Sequence, residues 1–115
     1  MQNQTPVTPT GKFVVRPEYM AREEFRIISN IVRRAISTGY TVSVNDDAFG
    51  RGDWTVKRSR DAAEIIGALA TTGGDLLKLR NTDGAPVGVI QLVYNGDDTV
   101  VYDHTDNAET ADLII

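Results

Sequence analysis

The sequence predicts an α+β domain: a mainly antiparallel sheet of five to six strands, two packed helices and a short C-terminal helix. Three observations carry this prediction. Apolar residues recur at helical spacing in two stretches, shorter runs alternate at a period of two, and turn-forming steps such as Asn95-Gly96 and Asp83-Gly84 separate those runs. The order reads β-α-β-β-α-β-β-β-α, and strands that follow strands favour antiparallel pairing. The 115 residues suit one domain, residues 12–115, preceded by a polar arm over residues 1–11.

The arm carries Pro6, Pro9 and Gly11 and no core-forming pattern. Lys12–Arg16 (KFVVR) reads as a short strand stopped by Pro17. From about Tyr19 to Thr38, Phe25, Ile28, Ile31, Val32, Ala35 and Ile36 share one helix face, and Gly39 suits the C-terminal cap. Arg22, Arg26 and Arg33 gather on the other face, within about 40° of arc at roughly 100° per residue. They form either a solvated stripe, with Glu23 pairing to Arg26, or an anion-binding face.

Tyr40–Asn45 alternates, with Tyr40, Val42 and Val44 on one side and Thr41, Ser43 and Asn45 on the other. Trp54–Arg58 follows across a loop of about eight residues, long for a hairpin. Ser59 or Asp61 then caps a second helix, with Glu64 completing a capping box on Asp61. Ala62, Ile65, Ile66, Leu69 and Ala70 form its buried stripe, and Gly73-Gly74 end it. Leu76–Arg80, Val87–Tyr94 and Thr99–His104 make a meander, with the middle run apolar on both faces and therefore interior. Asp106 and Glu109 are spaced as a capping box for the last helix. Its bare end, Leu113, Ile114 and Ile115, must pack on the sheet or on another subunit.

Composition narrows the function classes. The absence of cysteine removes disulfides, thiolate metal sites and Cys nucleophiles and fits a reducing compartment. No stretch has signal-peptide or membrane-spanning character, so a soluble protein of the cytoplasm is expected, with no membrane partner. Residues 1–60 hold ten Lys/Arg against six Asp/Glu, and residues 61–115 hold two against ten. Halves of +4 and −8 give the net charge of −4. This polarity and the apolar C-terminus predict a homo-oligomer, most simply a dimer. A negative net charge and the lack of a known recognition helix disfavour DNA binding.

Candidate chemistry lies in three places. Asn45–Asp53 holds Asp46, Asp47 and Asp53, but an EF-hand register starting at Asn45 puts Phe49 fifth and Val56 twelfth, where oxygen ligands are required. A turn explains these aspartates better than a metal site. His104, the single histidine, stands beside Asp103 and near Asp106, the makings of a general base. Adjacent strand residues face opposite sides, however, so Asp103 and His104 cannot converge without a bulge, and no catalytic residue, metal site or cofactor is assigned. The third place is basic and aromatic. Lys57, Arg58, Ser59 and Arg60 run into a helix N-terminus whose free N–H groups favour anions. Trp54 stands one strand step away, and Phe49 sits on the loop, which would act as a flexible cover with glycine hinges. Strict alternation puts Trp54, Val56 and Arg58 on one face and Lys57 on the other, which assigns the indole to the core and leaves Arg58 at its edge.

The stretches GYTVSVNDD…DWTVKRSRDAAEIIGAL and GVIQLVYNGDDTVVYDHTDN resemble small accessory proteins of tailed phages and prophages over about residues 12–110. The AFGRG segment within the acidic loop departs from that pattern. The family carries no established activity, so the resemblance transfers no functional residue. It implies a phage protein acting in the host cytoplasm. The resulting expectation is a non-enzymatic counter-defence protein that sequesters a nucleotide-type anion through Trp54, Lys57, Arg58, Ser59, Arg60 and Phe49, aided by Arg22, Arg26 and Arg33. The alternative is a protein-binding inhibitor of a host enzyme or defence complex, imitating nucleic acid with Asp97, Asp98, Asp103, Asp106, Glu109 and Asp112. A hydrolase using His104 is a third class.

Overall fold

The computed structural model describes residues 13–115. Its elements are α1 (Arg22–Thr38), β1 (Thr41–Asn45), β2 (Trp54–Ser59), α2 (Ala62–Gly67), β3 (Gly74–Arg80), β4 (Pro86–Val93), β5 (Val101–His104) and α3 (Ala108–Ile114). The five strands form one sheet in the order β2-β1-β3-β4-β5, and every neighbouring pair is antiparallel. The predicted polar arm, residues 1–11, lies outside the described residues, as does Lys12 of the predicted first strand. Phe13–Arg16 is not a strand: Phe13 and Val15 are exposed, and only Val14 packs against the core. One apolar contact does not make the buried face that a strand needs.

All three helices cover one face of the sheet. Val42, Val44, Leu77, Leu79, Ile90 and Leu92 point into that layer and meet Ile28, Ile31, Val32 and Ala35 of α1 and Ile65 and Ile66 of α2. The α1 stripe is therefore largely the predicted one, with Phe25 and Ile36 half-buried at its edges. Residues Pro17–Met20 form a turn instead of helix, closed by the Met20 N–H on the Pro17 carbonyl at 3.1 Å. At the other end Gly39, at φ 100°, supplies the left-handed turn that ends the helix. Glu24 is buried in this layer, yet each oxygen has a partner. Oε1 accepts from Ala21 N at 2.9 Å and Oε2 from Gly96 N at 2.8 Å, which ties the start of α1 to the β4–β5 turn.

The second helix is shorter than its apolar stripe predicts. It stops at Gly67, and Ala70 takes φ 60°. Asp75, fully buried on the helix-facing side of β3, accepts the Ala70 N–H at 2.9 Å on Oδ2, and the Tyr94 hydroxyl donates to the same oxygen. That carboxylate turns the chain where local periodicity would carry the helix on. At the start of α2 Asp61 is the cap, accepting from Ala63 N at 3.0 Å, and Ser59 Oγ takes the N–H of Asp61.

The cap of α3 is Asn107 and not Asp106. Its Oδ1 accepts from Thr110 N at 2.8 Å while its Nδ2 donates to the Val87 carbonyl at 2.8 Å, so this residue both starts the helix and fastens it to β4. Leu113 is buried and Ile114 packs on the core, which leaves Ile115 as the one exposed residue of the apolar end. The tail is thus used mainly within its own chain. No helix among the described residues is long and apolar enough to cross a membrane.

Gly88 lets α3 lie against β4. A Cβ there would stand 2.2 Å from Thr110 Oγ1 and 3.0 Å from Thr105 Cβ, both short β-branched side chains with little room to yield. Gly88→Ala is expected to lower stability by about 1–3 kcal/mol in urea unfolding through overpacking. Burial raises the Asp75 carboxyl above its ordinary value, against the opposing hydrogen bonds from Tyr94 and Ala70. The folded state therefore holds a proton that the unfolded chain releases. This contribution is fully present below the unfolded carboxyl pKa, near 4, and is lost as pH rises through the raised folded value. Asp75→Asn should flatten that part of the stability-versus-pH curve, measured as urea midpoints from about pH 4 to 7.

Candidate functional site

The sheet face away from the helices carries a groove, and the pairing of β2 with β1 creates it. Trp54 lies opposite Asn45, Val56 opposite Val44 and Ser59 opposite Val42, with the register broken between each pair. Thr55 is therefore an extra residue, and Lys57 and Arg58 together face Ser43. Burial along the strand follows a period of three: Val56 and Ser59 are buried, and the residues between them are exposed. Arg58 takes φ 50°, and its N–H, displaced from the ladder, donates to Ser43 Oγ at 2.9 Å. Bulges of this kind re-aim side chains. Here they correct the expectation from strict alternation: Trp54 is not in the core but 38% exposed. It lines the same groove as Lys57 and Arg58.

The groove, about 270 Å³, is lined by Ser43, Trp54, Lys57, Arg58, Lys78 and Arg80. Its floor is β1, represented by the short side chain of Ser43. Its walls come from β2 on one side and β3 on the other, two strand spacings or roughly 10 Å apart. Strand register orders the groove along its length. Trp54, opposite Asn45, marks one end; Lys57 and Lys78 flank Ser43; Arg80, opposite Thr41, marks the other end. Arg80 Nη1 donates to the Gly84 carbonyl at 3.0 Å, and the Arg58 guanidinium lies 3.8 Å from where a Gly84 Cβ would stand, so both arginines reach the β3–β4 turn. Lys78 and Arg80 are the only Lys or Arg residues of positions 61–115, and both line this groove. Among the described residues the ion pair found joins Arg26 to Glu23, remote from all four groove cations.

The remaining predicted site residues lie elsewhere. Ser59 is buried on the helix side, where it accepts the Asp61 N–H. Arg60 is exposed but does not line the groove. The expected anion-binding N-terminus of α2 is closed by its own carboxylate, Asp61. Arg22, Arg26 and Arg33 are exposed on α1, in the layer covering the opposite face of the sheet, and so they point away from the groove. Phe49 is exposed on the β1–β2 loop, with the Arg51 guanidinium 6.0 Å from its ring centroid.

That loop is organised around Asn45, which is fully buried. Its Oδ1 accepts from Asp47 N and Gly52 N, each at 3.0 Å, and its Nδ2 donates to the carbonyls of Gly50 at 3.3 Å and Gly52 at 3.1 Å. Asp46 Oδ1 accepts from Asp53 N at 2.8 Å, and Asp47 Oδ2 from Arg51 N at 3.0 Å. Two of the three carboxylates that first suggest a cation loop, those of Asp46 and Asp47, are thus engaged by the backbone of their own turn. Gly50 brings the loop against Leu76 at the indole end of the groove. Among the described residues no group of three or more His, Asp or Glu side chains is placed to hold a metal ion.

His104 and Asp103 pair with Ile90 and Gln91 in unbroken register, so they stay on opposite faces, and the bulge of β5 falls at Tyr102 instead. The His104 ring meets the Thr105 carbonyl at 2.9 Å through Nδ1, and Asp103 Oδ1 accepts the His104 backbone N–H at 2.8 Å. The carboxylate therefore serves the backbone and does not orient the imidazole. Asp97, Asp98, Asp103, Asp106, Glu109 and Asp112 are all exposed, on the β4–β5 turn, β5 and the segment through α3.

Sequence reading missed Ser43, Lys78 and Arg80. Alternation in LLKLR does place Lys78 and Arg80 opposite the buried Leu77 and Leu79, but nothing local shows that β3 pairs with β1. No protein-family profile, curated protein or solved structure matches this chain. Asn45→Ala is expected to cost about 2–4 kcal/mol, since it strands two N–H groups and two carbonyls of a tight turn. The loss should appear in urea unfolding, accompanied by a red shift of Trp54 emission as the strand end loosens.

Proposed function

We propose that the protein is a small non-enzymatic binding module that holds a nucleotide-type anion in the groove on the open face of its sheet. One observation carries the reading: Lys57, Arg58, Lys78 and Arg80 line a single groove beside the only tryptophan, and no lining side chain is acidic. Like charges brought together repel, and in a chain of net charge −4 there are carboxylates enough to have paired with them. An anion relieves that repulsion, and an indole at the groove's end offers a face on which a base can stack, worth about 1–3 kcal/mol per base in nucleic-acid systems. In an accessory protein of phage type, such a module would serve counter-defence by sequestering a signalling nucleotide, a task of holding that needs no acid–base group.

A second reading is favoured by the exposed acidic residues from Asp97 to Asp112, which lie toward the β5 side of the sheet, away from β2. They would form the surface of a protein-binding inhibitor that imitates nucleic acid.

The two readings separate in one experiment. A panel of nucleotides is titrated while Trp54 fluorescence and thermal unfolding are followed. A binding nucleotide at about a hundred times its Kd should stabilise wild type by about 2.7 kcal/mol and change the indole emission. The Lys78→Ala, Arg80→Ala double variant should lose most of that response. No response from wild type to any nucleotide would refute the first reading.

A further inference from the structure

Building on the reading above, we infer that the groove takes one nucleotide bearing a linear polyphosphate chain, free of metal, with its base at Trp54 and its terminal phosphate between Arg58 and Arg80. The order of side chains along the groove carries the inference. The aromatic face is at one end only, the lysines Lys57 and Lys78 flank the middle over Ser43, and the two arginines stand at the far end beside Gly84. From the position of Asn45 to that of Thr41 is four strand steps, about 13 Å. A base, a sugar and a short phosphate chain laid end to end occupy a length of that order.

The chemistry is graded in the same direction. Lysine offers a compact point charge with rotatable donors, suited to the bridging phosphates of a chain. Arginine offers a planar fork that meets a terminal phosphate through two parallel hydrogen bonds. Arg80 already gives one donor to the Gly84 carbonyl, which fixes the plane of its guanidinium before a ligand arrives and lowers the ordering entropy that binding must overcome. Four cations match a triphosphate better than the single charge of a cyclic monophosphate. With a single indole among its lining residues, the groove offers one stacking face and so suits one base. None of its lining residues is a carboxylate, so the groove brings no charged ligand for the magnesium ion that normally accompanies a nucleoside triphosphate. Magnesium should therefore compete with the groove for the phosphate oxygens.

The test is isothermal titration calorimetry of the full chain with adenosine mono-, di- and triphosphate, inorganic tripolyphosphate, a cyclic mononucleotide, a cyclic dinucleotide and a short single-stranded oligonucleotide. Each is run with and without excess Mg²⁺. Affinity should rise about fivefold or more per phosphate, close to 1 kcal/mol each, and Mg²⁺ should weaken the triphosphate. Trp54→Ala should weaken the nucleotides and leave inorganic tripolyphosphate unchanged, which separates nucleotide recognition from simple polyanion capture. Arg58→Lys keeps the charge and removes the fork. It should cost the triphosphate more than the monophosphate, with circular dichroism confirming the fold. Equal affinity for mono- and triphosphate, tighter binding of the cyclic dinucleotide or oligonucleotide, or an enhancement by Mg²⁺ would overturn this inference while leaving nucleotide binding standing. Failure of every nucleotide to bind would instead overturn the reading on which it rests.

Discussion

Between Trp54 and Ser59, six residues of β2 lie against four of β1, from Asn45 to Val42. The two surplus residues have to go somewhere, and the helix-facing side is already filled by Val56 and Ser59. They are extruded on the open face, and with them go the indole and two cations. The Ser43 hydroxyl makes the arrangement tolerable, because it takes the Arg58 N–H that the ladder no longer satisfies. A small residue at that position does two further things: it keeps the floor of the groove low, and it leaves space for the long side chains of β2 and β3 to stand on either side. The bulged strand is also a sheet edge, and bulges with exposed charge are how sheets discourage edge-to-edge pairing. One irregularity thus protects the edge and builds the groove.

The turns at the ends of the sheet depend on buried polar side chains. Asn45 shapes the β1–β2 loop, Asp75 takes the N–H that ends the approach from α2, and Glu24 holds the β4–β5 turn to the first helix. Asn45 and Glu24 each serve two or more backbone groups, Asp75 joins a backbone N–H to the Tyr94 hydroxyl, and each is almost entirely removed from water. Such groups stabilise only while their partners are in place, since an unpaired polar atom in the interior is expensive. Asp75 shows the tension. Oδ2 has two donors and Oδ1 has none, and burial displaces its proton equilibrium upward.

Charge is sorted by the sheet order as much as by chain order. The basic residues of β2 lie at one edge, and the acidic residues of β5 and its neighbours lie toward the other. Lys78 and Arg80 run against the trend of their half of the chain, and both are placed where β3 closes the groove. Four of the twelve Lys and Arg residues thus meet at one spot, in a chain whose net charge is −4. The single tryptophan stands at one end of that spot.

The elements and their faces were largely legible in the sequence, because helical and strand periodicities are local. The stripe Ile28, Ile31, Val32 and Ala35, the strand TVSVN, the interior run of β4 and the Gly39 cap all follow from spacing within a few residues. The expected first strand failed because Phe13 and Val15 found no partner face, and the second helix ended early because Asp75, five residues beyond Ala70, captures its N–H. Trp54, Lys57 and Arg58 were singled out from their closeness along the chain, at a strand end that runs into a helix start. Their common exposure was not legible, since alternation along β2 assigns the ring to the core. Only pairing with β1 decides where a strand carries surplus residues, because a bulge is a property of two strands in register and not of either sequence. The same holds for Lys78 and Arg80. Their side of β3 can be read locally, but their meeting with β2 across Ser43 exists only once the sheet order β2-β1-β3 has formed.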